Sequence, residues 1–387
     1  MKTPQELRAR FEHRFGRPAR LFRAPGRVNL IGEHTDYNEG FVLPAAIDFS
    51  TTVAAATRDD CKFVIYSENF DEQVEFDLDC LPSRRAGKWF DYIVSVAWVL
   101  RQRTALRGAN LLIRGDVPIG AGLSSSAAVE VSTALALIAL SADEQAQKIP
   151  RPEIAKLCRR AENEFVGAQV GIMDQFVSCT AERDHALLLD CRSLGYKLVP
   201  IPPSLRLVIC NTMVKHDLAS GSYNQRRAEC EEGVRIFAAH DPKIRALRDV
   251  TEEAFHRYSG ELTENVRKRC EHVIRENARV LAAVKCLREA DFARLGKLMS
   301  ESHASLRDLY EVSCDELDAM VESACDLPGC IGARMTGGGF GGCTINLVEA
   351  DHAQNFVGSV AERYDRATGI KPQIYLCTAE DGAKELA

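Results

Sequence analysis

The chain has 387 residues, 46% of them hydrophobic, enough material for two domains sharing a cleft. A net charge of -6 excludes the global basic field that nucleic-acid binding calls for, and the longest apolar run, residues 127–140, is broken by Glu130 and falls short of the ~18 residues a membrane span needs. The 14 cysteines are spread through apolar runs with no C-x-x-C pair, so the expectation is a soluble cytoplasmic protein with reduced core thiols and neither a disulfide framework nor a zinc site.

The chain opens on an amphipathic helix rather than a signal peptide: Thr3 and Glu6 are spaced as a capping box, Pro4 takes the first helical position, and Leu7, Phe11 and Phe15 recur every four residues. An extended region starts at residues 21–31. Residues 42–43, 51–56, 63–66 and 74–78 read as short strands between polar or proline turns, and 89–100 as a helix. A strand at 111–113 leads into VPIGAGLSSSAAVEV, residues 117–131. Gly120 and Gly122 permit a tight loop, hydroxyls follow at Ser124, Ser125 and Ser126, and Ala128, Val131, Leu135 and Ile138 carry helical spacing. A strand, a glycine and serine loop and a helix in succession, inside an α+β first domain, read either as an anion site at the unpaired N–H groups of the helix start or as a serine-capped buried helix after a turn.

This is neither familiar phosphate loop. No Lys follows a glycine pair as a Walker A loop requires, and the G-x-G-x-x-G at residues 337–342 is followed by β-like CTINLV instead of a helix. The H-R-D and D-F-G pair of protein kinases is missing as well.

A helix over 152–166 carries the stripe Ile154, Leu157, Cys158, Ala161 and Phe165. Glu162 lies in that stripe, and a buried carboxylate must find a cation or donors, either a ligand or a structural arginine partner. Asp174 stands as a lone acid in VGIMDQF. Residues 199–205, with Pro200, Pro202 and Pro203, read as the linker between domains at 1–203 and 204–387. A strand at 206–210 follows, then a long helical pattern through Val266, Cys270, Val273, Ile274, Asn277, Leu281 and Val284. The late glycines at 337–342 separate two β-like runs, and the chain closes on a helix at 356–364 and a strand at 374–377.

Three separated segments, the stretch from Arg27 to Tyr37, the glycine and serine loop and the late glycine run, resemble in sequence and order those of the GHMP small-molecule kinases. GRVNLIGEHTDYN at residues 26–38 looks like the galactokinase signature, and the likeness continues through AENEFVGAQVGIMDQ at 161–175 and GSYNQRR at 221–227. The resemblance implies a two-domain α+β fold, the first domain like ribosomal protein S5 domain 2 and the second ferredoxin-like, with the active site between them. It implies transfer of the γ-phosphate of ATP to the anomeric hydroxyl of galactose, with galactose and ATP as the molecules bound and no obligatory protein partner.

Residue by residue, the resemblance makes Asp174 the acceptor of the sugar hydroxyl's proton, with Arg27 beside it and the transferring phosphate. It places Glu33, His34, Thr35, Asp36 and Tyr223 on the sugar, and Gly120, Ala121, Gly122, Leu123, Ser124, Ser125 and Ser126 around the phosphates. Mg2+ would be held by Ser126 and Glu162. The chemistry agrees: carboxylates accept from sugar hydroxyls, a hard cation takes oxygen ligands, and phosphoryl transfer is a matter of positioning and charge stabilisation. Packing alone would also accommodate Tyr223 as a core tyrosine and the late glycines as sites of close backbone approach. Rival readings are a non-catalytic galactose and ATP sensor, against which the intact stretch from Ser124 to Ala128 argues, and a kinase for N-acetylgalactosamine or mevalonate, the last opposed by EHTD.

Overall fold

The computed structural model describes residues 3–215 and 219–387, with the backbone alone for 215, 219 and 220. Helix α1 (Pro4–Phe15) starts on the expected capping box, Thr3 accepting from the Glu6 N–H and Glu6 from the Thr3 N–H, and stops at Gly16 in the left-handed region. It lays Leu7 and Phe11 onto the strands that follow. These are β1 (Arg20–Asn29), β2 (Phe41–Val42), β3 (Pro44–Thr57), β4 (Lys62–Ser67) and β5 (Glu72–Asp77). Helix α2 (Asp91–Leu100), strand β6 (Ala109–Gly115) and helices α3 (Ser125–Leu140), α4 (Arg151–Ala161) and α5 (Met173–Thr180) come next. Strands β7 (His185–Asp190) and β8 (Tyr196–Pro200) pair with β2 in a small sheet.

Beyond residue 204 come β9 (Leu205–Lys215), α6 (Ala219–His240), α7 (Glu252–Tyr258), α8 (Glu264–Glu289), α9 (Phe292–Asp308), α10 (Asp315–Cys325), β10 (Cys330–Thr336), β11 (Gly341–Glu349), α11 (Ala353–Thr368) and β12 (Gln373–Cys377). Their strands form an antiparallel sheet in the order β10-β11-β9-β12. The last strand, β13 (Lys384–Leu386), leaves this region and joins the edge of the first sheet, whose order is β13-β1-β3-β6-β4-β5.

One face of the first sheet is covered by α2 to α5 through a core that includes Phe22, Phe63, Ile113, Leu137 and Phe176. Alternate residues of β1 and β3, such as Val28, Ala45 and Ile47, point the other way, into a second core shared with Ile209, Val280, Val284 and Ile345. Each fully buried Val or Ile among them contributes about 1.5–3 kcal/mol, so the period of two along β1 and β3 joins the two sheets firmly. The ends of β1, α3, α5 and the β10–β11 turn therefore open onto one cleft.

Several expectations shift. The linker is shorter than 199–205, because Val199 and Pro200 still pair in β8. A single cut at 203/204 also omits the return of β13, a strand of three residues too short to announce itself by period. The helix read through 152–166 changes to a π-turn at Glu162–Val166, where the Gly167 N–H reaches back to the Glu162 carbonyl. In α8 Leu281 is 46% exposed, whereas Asn277 faces inward because its Oδ1 accepts from the Phe41 N–H of β2 at 2.8 Å. Among the described residues no helix is long and apolar enough to cross a membrane.

Candidate active site

Strand β1 is bent where its register slips between Pro25 and Arg27, a bulge that turns the Arg27 side chain into the cleft. Gly26 makes this possible: a Cβ there would meet the Leu123 carbonyl at 2.6 Å, and instead the Arg27 N–H donates to that carbonyl. All three guanidinium nitrogens are then bonded, with one N–H left on each terminal nitrogen. Nε donates to Asp174 Oδ1 at 2.8 Å, Nη2 to Oδ2 at 2.7 Å, and Nη1 to the Gly122 carbonyl at 2.7 Å. Asp174 sits in the first turn of α5 and also accepts from Ser124 Oγ at 2.6 Å.

Ser124 is the residue before α3, yet its hydroxyl does not cap the helix; it goes to Asp174, and its backbone is left-handed at φ 61. Such a conformation costs of order 1–3 kcal/mol in a residue with a Cβ and persists where the surroundings hold it. Here Asp174 and the glycine run hold it.

Two cavities meet at this ion pair. The larger, about 520 Å³, is walled by Gly120, Gly122, Leu123, Ser124, Ser125 and Ser126. At its far end Phe70, Trp89 and Tyr92 stand with Ser67 and Asn69, the Phe70 and Trp89 rings stacked at 5.6 Å. Loop hydroxyls and N–H groups at the start of α3 suit an anion, and the aromatic end suits a planar base. Ala121 is buried behind the wall, against Gly342, and does not line the cavity.

The smaller cavity, about 140 Å³, is lined by Glu33, His34, Asp36, Gly171, Tyr223 and Gly337 among others, and it shares Arg27, Asp174 and Gly338 with the larger one. Burial first, and then the neighbouring Asp174, raises the Asp36 carboxyl to about 6. His34, held at φ 62, is lowered by burial to about 3, so it serves as a neutral hydrogen-bonding ring, its Nδ1 2.8 Å from Tyr37 Oη. Glu33 accepts from the Gly337 N–H at 2.6 Å and from Asn29, so the late glycine turn is fastened to β1. That turn also lies on the phosphate loop, where a Cβ on Gly337 would stand 3.0 Å from the Gly122 carbonyl.

Thr35 is the exception in the EHTD stretch. It has no exposed surface and does not line the cavity; its hydroxyl faces the carbonyls of Gly32 and Phe41, so it shapes the turn. Sequence reading also missed Gly171, on which a Cβ would overlap the Asp36 carboxylate, and the aromatic end, whose residues come from the β4–β5 turn and from in and around α2. Tyr223, from α6, lines the cavity 5.6 Å from the His34 ring and is not simply core.

Glu162 lies on the π-turn, buried. Among the described residues no arginine pairs with it; the Ser126 hydroxyl and Gln175 Nε2, the latter at 2.6 Å, are its partners. Burial and then Asp174 push its carboxyl up to about 7. Gln175 also reaches Glu130 of α3 at 3.1 Å.

Comparison with known proteins matches the chain to the Galactokinase galactose-binding signature over residues 9–57, to the GHMP kinases N terminal domain over 91–182 and to the GHMP kinases C terminal over 283–366. It is 48% identical to a galactokinase of Roseiflexus sp. (strain RS-1), over 97% of this chain and 96% of that one, and 47% identical to a galactokinase of Chloroflexus aurantiacus over the same shares. It superposes on the Lactococcus lactis galactokinase complexed with galactose with a TM-score of 0.93 at 36% identity, covering 99% of each chain. The Methanococcus jannaschii mevalonate kinase, at 18% identity and a TM-score of 0.64 over 93% of this chain and 98% of its own, shares the fold alone.

Proposed function

The chain belongs to the galactokinases of the GHMP kinase family, with their two-domain α+β fold, and from that premise we propose that it transfers the γ-phosphate of ATP to the C1 hydroxyl of α-D-galactose, giving galactose 1-phosphate and ADP. The observation that carries this reading is the meeting of two cavities at Arg27 and Asp174. The larger accommodates the nucleotide, its base toward Phe70, Trp89 and Tyr92 and its phosphates along Gly120 to Ser126. The smaller accommodates the sugar against Glu33, His34, Asp36 and Tyr223, with Thr35 supporting the turn from behind.

In this arrangement Asp174 accepts the proton of the sugar's C1 hydroxyl as oxygen approaches phosphorus, and Arg27, held on Asp174 and on the Gly122 carbonyl, faces the negative charge of the phosphoryl group. Ser124 donates to Asp174 and leaves its remaining lone pairs for the substrate. ADP release measured across galactose, glucose, N-acetylgalactosamine and mevalonate tests the reading; turnover with mevalonate and none with galactose would refute it.

Ser126 and Glu162 fit a magnesium ion. Ser126 at the start of α3 and Glu162 on the π-turn are neighbouring oxygen groups, and Mg2+ takes one or two carboxylates, phosphate oxygens and water in place of a protein cage. The ion would neutralise charge on the β- and γ-phosphates. Glu162→Gln should therefore raise the magnesium concentration for half-maximal turnover about tenfold or more, because one anionic ligand is lost. Calorimetric galactose binding without nucleotide should stay unchanged, and a variant that is merely less stable with a normal magnesium response would return Glu162 to a structural role.

Gly171 is predicted to be a sugar-site residue through Asp36. Gly171→Ala drives the Asp36 carboxylate from its place. The KM for galactose should rise about tenfold or more, an effect of about 1.4 kcal/mol, while the KM for ATP stays put. Steady-state kinetics varying each substrate separately checks it.

A further inference from the structure

Arg334, in the middle of β10, has no exposed surface, and the phosphate and sugar contacts described so far do not use it. Its Nη1 lies 3.3 Å from the Asn29 carbonyl and 3.7 Å from Glu33 Oε1, and its Nε and Nη2 have no hydrogen-bond partner among the described residues. A guanidinium removed from water is costly unless a nearby charge offsets the loss, and a core strand would otherwise be better served by an apolar residue.

Glu276 of α8 also bears on Arg334, but its oxygens are engaged by Arg279, the Gly32 N–H and the Ser302 hydroxyl. Glu33 is the carboxylate near Arg334 that lines the small cavity, its oxygens accepting from the Asn29 side chain and from the N–H of Gly337, which lines the cavity too. Arg334, Glu33 and Gly337 thus form a chain from the interior of β10 to the cavity wall.

We propose that Arg334 is a positioning residue for sugar recognition, holding Glu33 as an ionised carboxylate toward galactose and, through Glu33, holding the Gly337 turn. This rests on the galactose reading above. Electrostatics supports it: burial pushes the Glu33 carboxyl up, and Arg334, followed by Arg27, Asn29 and the Gly337 N–H, pulls it back. Around it, Asp36 adds negative charge from its own turn and Glu276 from α8, the latter held down to about 2. His34 and His272, lowered by burial to about 3 and about 4, are neutral at working pH, and His272 Nε2 stands 3.2 Å from the Glu33 carbonyl.

The sign follows. Without the guanidinium the Glu33 carboxyl rises further, so the ionised form, and the galactose recognition it supports, is present above a higher pH and lost as pH falls through it. The experiment compares Arg334→Met and Arg334→Lys with the wild type in the full chain, reading both KM values, kcat, the pH profile of kcat/KM for galactose and the melting temperature. The Met variant should raise the galactose KM about tenfold or more while the ATP KM holds within about twofold, and should move the acid limb upward. The Lys variant, which keeps the charge and loses the fork, should restore the limb and recover only part of the KM.

Both KM values unchanged, or both raised together with a lowered melting temperature and an unmoved limb, would overturn the proposal. Should the Met variant fail to fold, the Lys variant decides: a raised galactose KM beside an unchanged ATP KM supports it, and an unchanged galactose KM overturns it. Wild-type protein inactive on galactose would sink the underlying reading instead, so the two failures are distinguishable.

Discussion

Asp174→Asn should fold, bind galactose and ATP, and lose turnover by about 10²–10⁴-fold, the usual contribution of a positioned general base. The amide keeps the size of the side chain and one acceptor oxygen but cannot take a proton. It also disturbs the local circuit, since Arg27 Nε and Nη2 donate to both carboxylate oxygens and Ser124 Oγ to one of them. One of the two guanidinium bonds then faces an N–H2 group, and the remaining bond is no longer between opposite charges. The contrary expectation is that phosphoryl transfer is loose enough for Arg27 and positioning to suffice, with the proton leaving late. Calorimetric binding beside single-turnover transfer separates the two: intact binding with transfer slowed less than about tenfold would remove Asp174 as an essential base.

The second large effect concerns the sugar. Galactose and glucose differ in the orientation of one hydroxyl, and the small cavity is lined by carboxylates and a neutral imidazole, groups that need partners once water is displaced. A pocket whose acceptors, Asp36 among them, are matched to the axial hydroxyl leaves them unpaired against glucose. Each such group costs about 1–3 kcal/mol, more when charged, so two or more reach discrimination of about 10⁴ in kcat/KM. Competition between the two sugars for limiting enzyme measures that ratio, and comparable values would refute the assignment of the cavity. Because the Asp36 carboxyl is raised to about 6, the comparison belongs well above that pH, where this acceptor is ionised.

How much of this could be read in advance depended on how local each cause was. The capping box at Thr3 and Glu6, the turn glycines of residues 117–126 and the stripe of α4 are set by neighbours a few residues apart, and each lies where its pattern puts it. The Arg27 to Asp174 pair joins residues 147 apart in sequence, and no spacing rule connects them; only likeness to a family brought them together. Thr35 was misread for a related reason: in EHTD it resembles its neighbours chemically, but the turn directs its hydroxyl to Gly32 and Phe41, and the chain direction at a tight turn is not visible in residue type. Gly171 left no signal because its significance is the absence of an atom beside Asp36. Strand β13 is stabilised by its partner β1 and by Arg20 bonded to Glu385, so its three residues carry no pattern of their own.

In the reaction of a galactokinase a phosphoryl group leaves ATP and arrives on C1 of galactose. Phosphorus-31 NMR of protein, magnesium, ATP and galactose tests it most directly. The γ signal should disappear as a sugar phosphate resonance coupled to the anomeric proton grows, with ADP formed in equal amount. Inorganic phosphate alone, or a phosphate coupled to the C6 protons, would contradict it.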